Sequence, residues 1–134
     1  MQEEGAVLRE RVLKIVLVLV GLLFSAGIYP LVTGVWSELK AHEENALPMM
    51  LSLYVTLGVF LLLAARNPSA HRSVIAFAAW SSFAHASVMA VMSIQLPTER
   101  VELLIAAATF SIIGVLLMVL APGRQPPARV QAAA

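Results

Sequence analysis

The chain contains no cysteine, and all eight of its acidic residues are glutamates, so aspartate is absent as well. Without cysteine there are no disulfides, no thiolate nucleophiles and no cysteine-based metal sites. Without aspartate a Ser-His-Asp triad is impossible, and a glutamate in its place would have to come from a connecting loop. These two absences exclude several common kinds of active site.

Charged residues are also scarce, since they make up 13% of the 134 residues while hydrophobic residues make up 60%. Soluble globular domains are typically about half apolar and a quarter charged, and disordered chains are poorer in apolar residues. The net charge of +1, without a basic cluster interleaved with aromatic residues, gives no sign of nucleic-acid binding. The composition is that of a membrane protein with one compact domain.

Four apolar runs without any charged residue make up most of the length, at residues 15–36, 47–65, 73–96 and 103–121. The shortest run has 19 residues, and a helix needs about 20 to cross a bilayer. None shows the alternation of outer-membrane barrel strands. We therefore predict an all-α, integral membrane four-helix bundle. A cytoplasmic segment, residues 1–14, would precede it, and a disordered cytoplasmic tail, residues 122–134, would follow.

The basic residues flank these spans unequally, and this bias predicts the orientation. One side has only Lys40 and Arg100. The other side has seven: Arg9, Arg11, Lys14, Arg66, Arg72, Arg124 and Arg129. Both termini are therefore predicted to be cytoplasmic. A cleaved signal peptide ending near Gly27 is the alternative, but the N-terminal segment carries glutamates and the apolar run continues to Trp36.

His85 lies near the centre of the third run, and an ionisable residue at the middle of a membrane marks a candidate functional position. The other runs place Ser25, Thr56 and Ser111 at the same depth. We therefore predict a buried polar layer of these four residues, joined by interhelical hydrogen bonds. Two interpretations stay open. The layer binds a ligand or moves a proton, or it only fixes the packing, with Ser81 one turn away as a neutral partner for His85.

A second set of polar residues extends from that layer along the first span. Ser25, Tyr29 and Thr33 are four residues apart on one helix face, and Ser52 lies one turn from Thr56. Pro30 is expected to kink the first helix and to free a backbone carbonyl. This pattern predicts either a shallow cavity open to the periplasm or hydroxyls packed beside a kinked helix.

The third span is rich in small residues, and Ala78, Ser82, Ala86 and Ala90 form a stripe at a spacing of four. Small stripes allow helix backbones to approach closely, so this helix is expected at the centre of the bundle or at the seam of a homo-oligomer. Trp80 is expected to pack against a neighbouring helix.

Several cofactor and transport chemistries have no support in the sequence. The three histidines, at positions 42, 71 and 85, differ widely in depth, so they do not form a metal site. No acidic residue lies within a span, which leaves no intramembrane carboxylate relay. Haem with two histidine ligands would need a second intramembrane histidine, which one copy of the chain does not have. A dimer could supply His85 twice, or a methionine could be the sixth ligand, but the sequence indicates neither. The identity of any cofactor stays open.

Four segments resemble a family of small four-span bacterial membrane proteins classed as a domain of unknown function. They are residues 29–36, 48–58, 66–73 and 78–85, with sequences YPLVTGVW, PMMLSLYVTLG, RNPSAHRS and AAWSSFAH. The resemblance extends from Arg11 to Ala121. It implies a bacterial inner-membrane protein with four helices, but no activity, ligand or catalytic residue. In general layout alone, the chain is also similar to DoxX-type four-helix membrane proteins.

The function predicted from these features is that of a non-enzymatic accessory or interaction subunit of the bacterial inner membrane. Its short loops leave the lipid-buried helix faces as the contact surface for the bilayer, for other membrane proteins or for a second copy of the chain. One alternative is a binder of a small lipophilic ligand, such as a quinone or haem, around His85. Its candidate residues are His85, Ser81, Thr56, Ser25, Ser111 and Tyr29. The other alternative is a small oligomeric permease.

Overall fold

The structure is a computed structural model that describes residues 2–33 and 46–123. Within these residues the chain is helical, with no strand. The long helices are α1 (Gln2–Ser25), α2 (Ala46–Ala64), α3 (Arg72–Gln95) and α4 (Arg100–Leu120). The predicted all-α bundle of four helices is thereby confirmed. Trp36, the first connection with Lys40 and His42, and the predicted tail from residue 124 onwards lie outside the described residues.

The helices are apolar on nearly all sides, which is typical of helices surrounded by lipid. Large side chains such as Leu19, Leu53 and Val101 are more than half exposed on the outside of the bundle. The stretches Glu4–Thr33, Arg72–Gln95 and Arg100–Leu120 are long and apolar enough to cross a membrane. The described apolar part of α2, Pro48–Ala64, is shorter. These are the features of a membrane protein.

The helices associate as two pairs, α1 with α2 and α3 with α4, and the pairs meet mainly where α1 contacts α4. The contact between α2 and α3 is the lightest of these. Leu17 of α1, Leu61 of α2, Ile75 of α3 and Leu117 of α4 are completely buried at the centre. Because α2 and α3 pack only lightly against each other, a space remains between them.

Two glycines bring α1 and α2 into backbone contact. A Cβ atom added to Gly58 would lie 2.7 Å from the backbone nitrogen of Ser25 and 2.8 Å from the carbonyl oxygen of Gly21. A Cβ atom added to Gly21 would lie 2.8 Å from the side chain of Leu62. The crossing of α1 and α2 therefore depends on the missing side chain at Gly58, where the obstacle is backbone.

The small-residue stripe of α3 is largely used inside the bundle. Ala78, Ser82 and Ala86 are buried, and α3 makes its most extensive contacts with α4. The fourth position, Ala90, is exposed, and the buried side continues at Ser93 instead. An oligomer seam on this stripe is thus not needed to explain it.

Trp80 does not pack against a neighbouring helix, and that expectation is wrong. Its side chain is 65% exposed, and its ring meets the ring of Phe83 on the same helix at a centroid distance of 6.1 Å. The small residues occupy the side of α3 that faces its neighbours, so the bulky indole is left on the outer side.

The kink predicted at Pro30 is confirmed as an interruption of the first helix. The helix ends at Ser25, a turn occupies residues 26–27, and residues 28–33 are helical again. Proline has no N–H to donate to the carbonyl four residues earlier, that of Ala26. That carbonyl is not free, however, because it accepts a hydrogen bond from the N–H of Tyr29 at 3.3 Å. The expectation of a free carbonyl is therefore wrong.

Two arginines bring three chain segments together at one end of the bundle. Arg9 of α1 donates to the carbonyl oxygens of Val119 and Ala121, at 2.7 and 2.9 Å. Arg72, at the start of α3, donates to the carbonyl oxygen of Gly123. The N-terminal part of α1, the beginning of α3 and the end of α4 thus share this end.

Candidate functional site

A groove with a volume of about 620 Å³ lies between α2 and α3. Ligand sites in proteins usually have volumes of about 300–1,000 Å³. The described lining residues from α2 are Met50, Leu53, Tyr54, Thr56, Leu57 and Phe60. Those from α3 are Ser73, Val74, Phe77, Ser81 and His85. The surface is mostly apolar, and its few polar groups are hydroxyls and one imidazole.

The α3 side of the groove follows directly from the spacing of its residues. Ser73, Phe77, Ser81 and His85 are four residues apart and therefore lie on one face of the helix. This face differs from the small-residue face that packs against the other helices. One side of α3 thus supports the bundle, and another carries the groove.

Behind the inner end of the groove, where Tyr54 and His85 line it, four aromatic rings meet, one from each long helix. Phe24 of α1 meets Tyr54 of α2 at 5.0 Å between centroids, and Tyr54 meets His85 of α3 at 5.3 Å. Phe110 of α4 completes the set at 4.5 Å from His85 and 5.9 Å from Phe24. Edge-to-face pairs of this kind are worth about 0.5–1.5 kcal/mol each beyond the burial of their area. We call these four side chains the aromatic cluster.

The aromatic cluster replaces the polar layer that the sequence predicts at this depth. Phe24 directly precedes Ser25, and Phe110 directly precedes Ser111. The predicted depth of the layer is therefore correct, but aromatic rings occupy the interior of the bundle there. Thr56 is exposed and does not lie in the interior. The expectation of one buried polar layer with interhelical hydrogen bonds is therefore wrong.

The physical reason is that the hydroxyls bond to their own helices. Thr56 donates to the carbonyl of Ser52 at 2.8 Å, and Ser111 donates to the carbonyl of Ala107, also at 2.8 Å. Ser81 donates to the carbonyl of Ala78 at 3.1 Å and not to His85. A hydroxyl satisfied one turn back in its own helix needs no partner across the bundle.

Ser25 is the exception among these hydroxyls. Its Oγ atom is fully buried and has no hydrogen-bond partner among the described residues. It lies where a side chain at Gly58 would be, 2.7 Å from the position of an added Cβ atom. Its burial follows from the close crossing of α1 and α2, which leaves no room for a partner.

The candidate ligand residues from the sequence divide into two groups. His85, Ser81 and Thr56 line the groove. Ser25, Ser111 and Tyr29 are not among its described lining residues, and Tyr29 is 76% exposed. A shallow cavity was expected near Ser25 and Tyr29, but neither the groove nor the smaller cavity beside Arg9 has these two residues in its described lining. The hydroxyl of Thr33 donates to the carbonyl of Tyr29 at 3.0 Å.

Sequence reasoning identified His85 but missed Phe77 in the groove and the other three members of the aromatic cluster, Phe24, Tyr54 and Phe110. The signal for the α3 side was present in the spacing of Ser73, Phe77, Ser81 and His85. For Tyr54 and Phe110 there was no comparable signal, because single aromatic residues in an apolar run do not reveal which way they point. Their meeting with His85 depends on how the helices are rotated about their axes.

The chemistry of the groove is that of a neutral binding site. No described residue that lines it is charged. In the described parts of the chain there is also no group of three or more acidic, histidine or cysteine residues that could hold a metal ion. The groove therefore offers apolar surface, hydroxyl groups and an imidazole.

The fold is that of a small helical protein with helices of membrane-spanning length and composition. The chain belongs to the family of unknown function DUF6632, whose profile matches residues 8–131. The resemblance to a domain of unknown function is thereby confirmed, while the similarity to DoxX-type proteins stays a prediction. Neither the curated proteins nor the solved structures contain a match to this chain.

Proposed function

We propose that the protein binds a small lipophilic molecule in the groove between α2 and α3, and that it is not an enzyme. The observation that carries this proposal is the groove itself, with its volume of about 620 Å³ and its end at the rings of Tyr54 and His85. Its lining is mostly apolar with a few polar side chains, of which Tyr54 and His85 are held by neighbouring rings. That is the usual composition of a ligand site.

The proposal includes the placement of the chain as a four-span protein of the bacterial inner membrane with cytoplasmic termini. Arg9 and Arg72 lie at the same end of the bundle as residues 119–123. These arginines belong to the more basic side of the sequence, which the positive-inside rule assigns to the cytoplasm. In this arrangement α2 also spans the membrane, in addition to the three longer helices. The groove then opens sideways towards lipid.

A pair of serines on α3 allows a direct test of the groove. Ser81 lines the groove, whereas Ser87 is exposed outside it, and each donates to a carbonyl of its own helix. Ser81→Leu would fill the groove, and Ser87→Leu would add the same side chain to the outer surface. Leucine is a good helix-forming residue, so the helicity of both variants should match that of the original chain.

The measurement is the mass-spectrometric analysis of organic extracts from the purified proteins. We expect one apolar compound at near-stoichiometric amount with the original chain and with Ser87→Leu, reduced at least tenfold with Ser81→Leu. Equal amounts in both variants, or no compound beyond bulk lipid in any of them, would contradict the proposal. Circular dichroism of each variant shows whether the helices are intact.

A second candidate function, that of an accessory subunit, is favoured by a different observation. Trp80 and Phe77 are 65% and 64% exposed on α3. Tryptophan and phenylalanine are enriched where proteins contact each other. Under this alternative, the outer surface of α3 would be covered by another membrane protein, and the groove would hold one of its side chains.

A further inference from the structure

The polar side chains of the groove fall into two classes. The hydroxyls of Thr56 and Ser81 already donate to backbone carbonyls of their own helices. The hydroxyls of Tyr54 and Ser73 and the ring nitrogens of His85 form no hydrogen bond among the described residues. Ser73 is exposed near the start of α3, whereas Tyr54 and His85 are partly exposed at the other end of the groove, where their rings meet. At that end, Tyr54 and His85 are therefore the groups available to the polar part of a bound molecule.

Tyr54 and His85 are also held in place by their surroundings. Their rings are 5.3 Å apart between centroids with an interplanar angle of 71°. Phe24 packs against Tyr54, and Phe110 packs against both Tyr54 and His85. Rings fixed on several sides lose little further freedom when a ligand binds, so their polar groups are preorganised.

The charges around the groove restrict the ligand further. No described lining residue is charged, and the guanidinium group of Arg72, next to Ser73, already donates to the carbonyl of Gly123. A carboxylate or phosphate placed beside His85 would meet no lysine or arginine among the described lining residues, and it would have to be paired by protonating the imidazole, which is more costly than burying a neutral carbonyl. The inner end of the groove thus selects against anions.

We infer that the ligand is a neutral lipid whose polar end carries a carbonyl or hydroxyl oxygen, with quinones as the fitting class. The inference rests on the proposed function of the groove. The hydroxyl of Tyr54 donates a hydrogen bond to the ligand oxygen. His85 either donates a hydrogen bond from its ring N–H to that oxygen or accepts one from a ligand hydroxyl. The apolar tail lies along Leu57 and Phe77 towards Ser73, which precedes His85 by 12 residues. At 1.5 Å per residue, that length is about 18 Å.

Two tyrosines provide a matched pair of variants for testing this inference. Tyr54→Phe removes one hydroxyl from the groove, and Tyr29→Phe removes one from an exposed side chain that is not among its lining residues. The full chain is placed in phosphatidylcholine nanodiscs, and binding of a tritium-labelled benzoquinone with a ten-carbon tail is measured at equilibrium. Palmitate serves as the anionic competitor.

The expected result is a loss of affinity of about fivefold for Tyr54→Phe, the effect of one hydrogen bond, and no change for Tyr29→Phe. His85→Leu should weaken binding by a similar factor. His85→Gln, which retains hydrogen-bonding groups, should bind more tightly than His85→Leu. Palmitate should compete poorly.

The contrary outcomes separate this inference from the function on which it rests. If palmitate binds more tightly than the quinone and Ser81→Leu abolishes its binding, the neutral ligand is wrong but the groove is a binding site. If Tyr54→Phe and Tyr29→Phe bind the quinone equally, the assigned position of the polar end is wrong. A stoichiometric Soret band in the protein from its own membrane would replace the neutral lipid with haem. If Ser81→Leu changes the binding of neither probe, both proposals fail.

Discussion

The imidazole ring of His85 meets the ring of Phe110 edge to face, with their centroids 4.5 Å apart. This contact joins α3 to α4 at the depth where the groove ends. Phe110 also meets Phe24 and Tyr54, so it is the residue through which the aromatic cluster connects three other helices. The position of His85 in the groove therefore depends on a side chain that does not line it.

The first prediction concerns this connection. Phe110→Leu should lower the free energy of unfolding by about 1–2 kcal/mol, because edge-to-face contacts are lost and a smaller side chain is left in their place. Phe60→Leu is the control, since Phe60 is 51% exposed and takes part in no aromatic pair among the described residues. Unfolding by sodium dodecyl sulfate, followed by circular dichroism, gives both values. Equal stability of the two variants would show that the cluster does not hold the helices together.

The second prediction concerns the crossing of α1 and α2. Gly58→Ala should destabilise the protein by about 1–3 kcal/mol, because its Cβ atom would lie 2.7 Å from the backbone of Ser25. Gly21→Ala should cost less, since its closest obstacle is the flexible side chain of Leu62. Gly5→Ala is the control, because nothing lies within 4 Å of an added Cβ atom there. The same unfolding experiment ranks the three variants, and a Gly58→Ala protein as stable as Gly5→Ala would refute the close crossing.

The third prediction concerns the end of the bundle where Arg9 reaches α4. Arg9→Gln should loosen the C-terminal end of α4, because the guanidinium group donates to the carbonyl of Val119 in its last turn and to that of Ala121 just after it. The expected cost is about 1 kcal/mol, at the low end for hydrogen bonds of charged groups because the site is exposed. Arg11→Gln removes the same charge nearby. Hydrogen exchange around Val119 should become faster only in Arg9→Gln, and equal exchange in both variants would contradict this role.

The fourth prediction concerns the orientation in the membrane, and the lack of cysteine makes it simple to measure. Single substitutions Gly5→Cys and Ser69→Cys should be labelled by a membrane-impermeant maleimide only after the cells are opened. Thr98→Cys should be labelled in intact spheroplasts, because it lies at the other end of the bundle. Labelling of Gly5→Cys and Thr98→Cys from the same side would rule out the four-span arrangement.

How far the sequence could predict this structure is clear from two regions of the chain. The apolar runs predicted the helices because a chain without water around it must satisfy its backbone within each segment. Pro30 likewise predicted the interruption of the first helix, because the missing N–H is a local property. In both cases the cause lies within a few residues of its effect.

The candidate site was predicted only in part, because its other determinants are not local. His85 was identified from its depth alone. The hydroxyls at the same depth were expected to bond across the bundle, but each Ser or Thr can bond to its own helix, and the sequence does not reveal which it does. The meeting of Tyr54, His85 and Phe110 depends on helix rotation, which is set by distant contacts such as that between Gly21 and Gly58.

The most direct test of the binding groove is photo-crosslinking in living cells with benzoylphenylalanine at position 77. Phe77 lines the groove, and Ile94, 72% exposed on the same helix but outside the described lining, is the control position. We predict that the chain labelled at position 77 gains the mass of one small molecule that the chain labelled at position 94 does not acquire. Capture of another polypeptide at position 77, or the same lipids at both positions, would contradict a ligand-binding groove.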